Sequence, residues 1–318
     1  MEQARFRAMG TDCHVLVAAP AREKVLVALA TTRVALLEQS WSRFRPDSEL
    51  CRLNARAGST PVAVSADLLL LAERMTEAWH LTGGLFDPTV LASMVALGYD
   101  ADLATVTARM IPAADDVVVL PAPGMQGVAI DHALRTVRLP AGVGIDPGAI
   151  GKGLAADIVV EELLAAGATG VLVNLGGDIS IGGSLDERWV IGIEDTAANV
   201  PSALVTLPYG SQRAGIATST TSKRRWAAGR RHHIVDPRTG WMAADDITQA
   251  TVVSDEAWRA EVLATTALLA DDAALAEAIR RAGAWCRIVR TDGSIDVLGA
   301  LPTPDPLVHD TQLEAHRG

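Results

Sequence analysis

The stretch Gly144–Ser180, GIDPGAIGKGLAADIVVEELLAAGATGVLVNLGGDIS, constrains the fold more than any other part of the chain. It reads as a glycine-rich turn, a helix, a buried strand and a second glycine turn. The first turn, Asp146-Pro147-Gly148-Ala149-Ile150-Gly151-Lys152-Gly153, carries little side-chain bulk, so its backbone can approach a ligand closely. A helix opening near Gly151 offers unpaired N–H groups and the positive end of a dipole, both of which favour phosphate. Lys152 adds a full charge at the same end. Leu154, Ile158, Val159 and Leu163/Leu164 give the helix its apolar face, and Gly167 stops it. Val171-Leu172-Val173 is a β-type run that ends in the turn Asn174-Leu175-Gly176-Gly177-Asp178. The two glycine turns can frame one cleft. The pattern is neither GxxxxGK[ST] nor GxGxxG, so a phosphate site and a tight helix–sheet corner both stay open at this point.

The remaining chain alternates helical and strand periodicities without a repeat or a clear linker. With 318 residues, 49% of them hydrophobic and 21% charged, it is expected to form one large α+β domain of mixed β-sheet and packed helices over residues 1–305. Residues 306–318, rich in Pro, Asp and His, read as a frayed tail. Strand, turn and strand are expected over 4–19, with Met9-Gly10-Thr11 at the turn, then a helix over 21–39. Asp47 or Ser48 can cap a short helix to Asn54, and Ser65 a helix through Leu81. Residues 112–140 read as a β-rich arm, with Val117–Leu120 extended and a hairpin near Asp131-His132. Further strands are expected at 189–193, 203–207, 215–218 and 247–253, helices at 255–270 and 272–282, and a closing hairpin of 286–289 with 294–297.

A net charge of -10 excludes a nucleic-acid surface. Lys223-Arg224-Arg225 and Arg230-Arg231 form a basic island, which is either solvated or meets phosphate or an acidic partner. Three scattered cysteines, Cys13, Cys51 and Cys286, suit a reducing compartment. No leader pattern or membrane-length apolar window is visible, so a cytoplasmic protein without membrane insertion is expected.

Titratable candidates fall at strand ends, turns and one helix: Asp87, Asp146, Lys152, His233, Asp236 and Glu261. His232-His233-Ile234-Val235-Asp236-Pro237 reads as a strand running into a turn, so the two histidines should face opposite ways. Glu261 and Thr265, at i and i+4 on one helix face, can offer two oxygens to one Mg²⁺, or form an ordinary solvated pair. HExxH, GxSxG, CxxC and EF-hand patterns are absent, which removes several enzyme classes.

Eight segments in one order resemble a single family. They are Met9-Gly10-Thr11; Phe44-Arg45-Pro46-Asp47-Ser48-Glu49-Leu50 with Leu53-Asn54; Phe86-Asp87-Pro88-Thr89; and Asp146–Gly153 with Ala156-Asp157. Asn174-Leu175-Gly176-Gly177-Asp178-Ile179, Thr218-Ser219-Thr220, His233–Gly240 and Ala260-Glu261-Val262-Leu263-Ala264-Thr265 complete the set. Over roughly residues 5–290 the chain resembles the ApbE family of flavin transferases. The resemblance implies a T-fold-like α+β domain and Mg²⁺-dependent transfer of FMN from FAD to a Thr or Ser hydroxyl of an acceptor flavoprotein, with release of AMP. By position, Met9, Phe44, Asp87, Asp146, Lys152 and Gly176 would line FAD. The Ala149 carbonyl would join Glu261 and Thr265 on the metal, and His233 would be the base. Glu261 stands where the family usually has Asp, Pro147 where Leu is common, and Phe44 where Tyr is frequent. Thr220-Thr221-Ser222 replaces an expected glycine turn and aromatic. Metal-dependent hydrolysis of FAD to FMN and AMP, and FAD binding without turnover, are the alternatives.

Overall fold

The first eighteen residues fold into the expected hairpin. Strands β1 (Glu2–Ala8) and β2 (Thr11–Ala18) are joined by Met9-Gly10, whose φ values of 51° and 69° make a tight turn that matches strand twist. The structure is a computed structural model describing residues 1–109, 117–183, 189–194, 201–207, 213–301 and 308–310. Helix α1 (Glu23–Trp41) follows, then α2 (Glu49–Ala55), capped by Ser48 accepting from the Cys51 N–H at 2.9 Å. After β3 (Val62–Ala63), α3 (Ala66–Leu81) is capped by Ser65, as expected. Two short helices not anticipated from the sequence come next, α4 (Leu91–Ala96) and α5 (Leu103–Ala108).

Residues 112–116 of the expected β-rich arm lie outside the described residues, and Val117–Leu120 runs without regular structure. The hairpin forms as β4 (Ala129–Asp131) and β5 (Thr136–Arg138), and β5 pairs with β3. The organising stretch gives α6 (Gly151–Ala165), β6 (Gly170–Leu175) and β7 (Asp178–Gly183). Then come β8 (Trp189–Glu194), β9 (Pro201–Leu207), β10 (Arg213–Thr220), β11 (Arg225–Trp226), β12 (Arg231–His232) and β13 (Ile247–Ser254). Helices α7 (Ala257–Ala267) and α8 (Asp272–Ala282) precede β14 (Trp285–Arg290) and β15 (Ile295–Gly299). Within the expected tail, β16 (Val308–Asp310) pairs with β9.

An eight-stranded sheet of order β1-β2-β6-β7-β10-β13-β14-β15 forms the centre. The α+β class is as expected, and every described ladder is antiparallel. Alternation along each strand sends side chains to two cores. Val171, Val173 and Leu175 of β6 join α1, α3 and α6, whereas Leu172 faces the opposite side with Ile193 of β8 and Val205 of β9. Each fully buried Leu or Val in these cores contributes about 1.5–3 kcal/mol by leaving water.

The start of α7 is the tightest junction. A Cβ on Gly153 would lie 2.5 Å from the Ala257 carbonyl oxygen, and one on Gly215 would collide with the Ala257 backbone. Residue Glu256 makes no side-chain cap on α7. Asp157 of α6 supplies it instead, accepting from the Ala257 N–H at 3.1 Å and the Trp258 N–H at 3.0 Å. Ser180 donates to the same carboxylate at 2.6 Å. Two helices and a strand are thereby locked together one turn before Glu261.

Candidate functional site

A cavity of about 460 Å³ opens where the β1–β2 turn, the β6–β7 turn, the start of α6 and the inner face of α7 converge. Met9, Phe44, Asp87, Asp146, Ala149, Lys152, Gly176, His233, Glu261 and Thr265 all line it. Residues scattered from position 9 to position 265 thus meet around one space.

The charged floor is built from α6, β7 and α7. The Lys152 ammonium donates to Asp178 and, at 2.5 Å, to Glu261 Oε1. The other Glu261 oxygen, Oε2, accepts from the Gly153 N–H at 2.8 Å. Burial and the Asp178 charge push the Glu261 carboxyl upward, against the pull of Lys152. Burial works to lower Lys152, but Asp178 and Glu261 outweigh it and the ammonium is held charged. The sequence left the α6 start open between a phosphate site and a tight helix–sheet corner, and the structure engages its cation and one of its N–H groups with carboxylates. Lys152 lines the cavity with its charge already compensated, and one helix N–H is spent on Glu261.

Oxygen donors suited to a hard divalent cation line the same cavity: the Glu261 and Asp178 carboxylates, which meet at Lys152, the Thr265 hydroxyl and the backbone at Ala149. The Thr265 hydroxyl meets the Ser219 hydroxyl at 3.1 Å. These are all oxygen donors and two of them are carboxylates, so the donor set fits Mg²⁺ in type. Among the described residues no three His, Cys, Asp or Glu side chains cluster as a metal site, so hydroxyl and carbonyl oxygens would have to complete the shell.

Asp146 and Asp87 are buried anchors. Asp146 pairs with Arg43 Nε at 2.9 Å and accepts from the Gly148 N–H at 2.8 Å, which fixes the glycine turn. Asp87 accepts from the Thr89 N–H and hydroxyl at 2.8 and 2.6 Å and from the Trp79 indole at 3.2 Å. Burial raises its carboxyl above the ordinary range despite those bonds. Phe44 is 38% exposed, and the Arg43 guanidinium lies 4.1 Å from its ring centroid and 4.6 Å from that of Tyr99. Gly176 has φ 71°, and a Cβ there would strike Thr11. The absence of a side chain at 176 is thus required by the neighbouring turn as well as by access to the cavity.

The two histidines separate. His232 is buried away from the cavity, its ring bonding the Ala243 carbonyl at 3.2 Å and accepting from the Ile234 N–H at 3.3 Å. His233 lines the cavity, and its buried Nδ1 has no hydrogen-bond partner. The strand expected through these residues is only the two-residue β12, and His233 sits in the bend beyond it. Burial first, then the charges of Arg224, His232 and Lys152, hold the His233 ring well below the usual imidazole range, so it is neutral near pH 7.

Asp178, Arg43, Tyr99, Ser219 and Arg224 also line the cavity, though the sequence did not single them out as site residues. Asp178 lies within the recognised segment Asn174–Ile179 and Arg43 immediately precedes the one that begins at Phe44, so the signal for both was their place in or beside such a segment. Asp236 turns outward to a salt bridge with Arg238 at 2.8 Å and takes no part.

Comparison with known proteins bears on the family and the fold. The model of the ApbE family matches residues 9–288. The FAD:protein FMN transferase of Treponema pallidum is 32% identical over 278 residues, covering 81% of this chain and 75% of the relative. That of Klebsiella pneumoniae is 28% identical over 230 residues, covering 70% and 68%. Among solved structures, the ApbE protein of Thermotoga maritima superposes with a TM-score of 0.78 at 24% identity, covering 93% of this chain and 96% of the other. The flavin transferase ApbE of Vibrio cholerae gives 0.72 at 23% identity, covering 95% and 98%.

Proposed function

We propose that this chain, which belongs to the ApbE family, transfers FMN from FAD to a Thr or Ser hydroxyl of an acceptor flavoprotein and releases AMP. One observation carries the reading: the ten residues picked out by the family resemblance line a single cavity. Relatives that match along most of their own length carry the name FAD:protein FMN transferase, which supports the transfer of FMN from FAD to a protein.

In the proposed reaction the diphosphate of FAD sits above the α6 turn. The rings of FAD lie among Met9, Phe44 and the Arg43–Asp146 pair. The acceptor hydroxyl approaches past His233. A neutral imidazole with an open Nδ1 takes the hydroxyl proton as its oxygen attacks the FMN phosphorus, and the phosphoanhydride bond to AMP breaks. Glu261, Thr265 and the Ala149 carbonyl, with Asp178 beside them, would hold Mg²⁺, which when bound offsets negative charge on the phosphates. Lys152 bridges the Glu261 and Asp178 carboxylates and holds them in place. Asp146, clamped by Arg43 and Gly148, keeps the turn in shape for the substrate.

We place the reaction in the cytoplasm, in keeping with three free cysteines. Among the described residues no helix is long and apolar enough to cross a membrane. The test is the acceptor dependence of AMP release. With FAD and Mg²⁺ supplied, AMP should appear quickly only when an acceptor flavoprotein is present. Equal AMP release without acceptor, with free FMN beside it, would instead establish hydrolysis.

A further inference from the structure

Most cations around the cavity are already neutralised. Lys152 lies between Asp178 and Glu261, Arg43 is paired with Asp146, and Lys223 at the rim approaches Glu194 at 3.5 Å. Arg225, next along the chain, pairs with Asp245 at 2.7 Å. Arg224 lines the cavity, yet no hydrogen bond or ion pair to its side chain exists among the described residues.

Its position is built. The β11–β12 hairpin pairs Arg225 with His232 and Trp226 with Arg231, so Arg224 and His233 are the next residues outward on its two arms. The hairpin is fastened from behind. The Trp226 indole donates to the Leu97 carbonyl at 2.9 Å, Arg231 donates to the same carbonyl at 2.7 Å, and Trp226 stacks on Tyr99 with centroids 5.0 Å apart. The charge of Arg224 is felt at Tyr99, Lys152 and His233 together, which sets it over the cavity. A rigidly mounted, uncompensated guanidinium beside an imidazole with an open nitrogen is suited to bind an anion.

We propose that Arg224 is the diphosphate-binding cation of this site, its guanidinium donating to non-bridging oxygens of the substrate's diphosphate beside His233. The inference rests on the FAD reading above and deepens it. As the acceptor oxygen bonds to the FMN phosphorus, the P–O bond to the AMP moiety breaks and AMP departs with the bonding electrons. The hydroxyl proton passes to His233 Nδ1. Arg224 neutralises charge on the phosphoryl oxygens through that exchange, a role left open because Lys152 is held by its own carboxylates. The basic island of the sequence thus has one member turned into the site.

The experiment compares the parent with Arg224→Gln and Arg224→Lys, titrating FAD, ADP and riboflavin by calorimetry and following single-turnover AMP release. Arg224→Gln should weaken FAD and ADP alike by roughly 10–100-fold, the range that charge-assisted hydrogen bonds carry. Riboflavin affinity and melting temperature should stay at the parent's values, and Arg224→Lys should recover part of the loss. Unchanged FAD and ADP affinities in Arg224→Gln would overturn the proposal, as would an equal loss for riboflavin. A parent that binds ADP through Arg224 but never flavinylates an acceptor would sink the transferase reading alone. A parent that binds neither FAD nor ADP would overturn both.

Discussion

His233 and His232 are neighbours in sequence with opposite environments, one lining the cavity with a buried, unpartnered Nδ1 and one bonded within the fold. Replacing His233 with Ala should slow single-turnover AMP release by ~100-fold or more while FAD still binds, since a general base typically contributes that much. His232→Ala should instead lower stability by about 1–3 kcal/mol, through the backbone groups it leaves unpaired, with transfer proceeding in the folded fraction. Quenched-flow AMP measurements and urea melts on both variants separate the two roles. A second prediction concerns Lys152. Lys152→Met leaves two buried carboxylates facing each other, at a cost of about 3–5 kcal/mol. Millimolar Mg²⁺ should raise the melting temperature of this variant more than that of the parent, because the ion can replace the lost ammonium. Equal shifts would mean that Asp178 and Glu261 do not share a cation. The sequence made the residue types of this site legible but not their pairing. Lys152, Asp178 and Glu261 are separated by 26 and 109 positions, and only the packing of α7 on α6 brings them together.

Strands and helices that carry the site follow from local patterns, and the junction between them does not. The helix–strand unit α6–β6, the caps Ser48 and Ser65 and the β1–β2 turn were readable because periodicity, capping and turn chemistry act within a few residues. Helices α4 and α5, of six residues each, were not, since so short a segment shows no full amphipathic period. Val117–Leu120 has strand-like composition but no partner strand, and packs as irregular chain near Met94 and Trp226. At the α6–α7 junction, Gly153→Ala should cost about 1–3 kcal/mol and disturb the Glu261 contact, because the new methyl meets α7 backbone that cannot yield. Chemical denaturation checks the first effect and Mg²⁺ titration the second. Asp157 gives this junction a pH signature. Burial raises its carboxyl to about 6 in the folded chain. The folded state therefore holds a proton that the unfolded state releases near 3.8, and this contribution is present below pH 3.8 and lost as pH rises to about 6. At about 1.4 kcal/mol per pH unit, the window carries about 3 kcal/mol. Stability measured from pH 4 to 7 should show this decline in the parent and a flatter profile in Asp157→Asn.

At the scale of the molecule, an antiparallel eight-stranded sheet holds α6 and α7 side by side and sets the two glycine turns at the rim of one cavity. The family resemblance foresaw which segments would meet. It did not foresee that the charge of Lys152 at the α6 start would be compensated by Glu261 and Asp178, or that the β11–β12 hairpin would carry Arg224 to the same cavity. Two-residue strands leave no periodic trace, and the hairpin depends on Leu97 and Tyr99, which lie far away in sequence. The proposed reaction requires this arrangement to hold a dinucleotide and to admit a protein hydroxyl beside a neutral histidine. The most direct test is the intact mass of an acceptor flavoprotein after incubation with this chain, FAD and Mg²⁺. The account predicts that the acceptor gains the mass of one FMN less one water, that one AMP is released per acceptor modified, and that the gain vanishes when the acceptor Thr or Ser is replaced by Ala. An acceptor of unchanged mass, with FAD intact or split into AMP and free FMN, would contradict it.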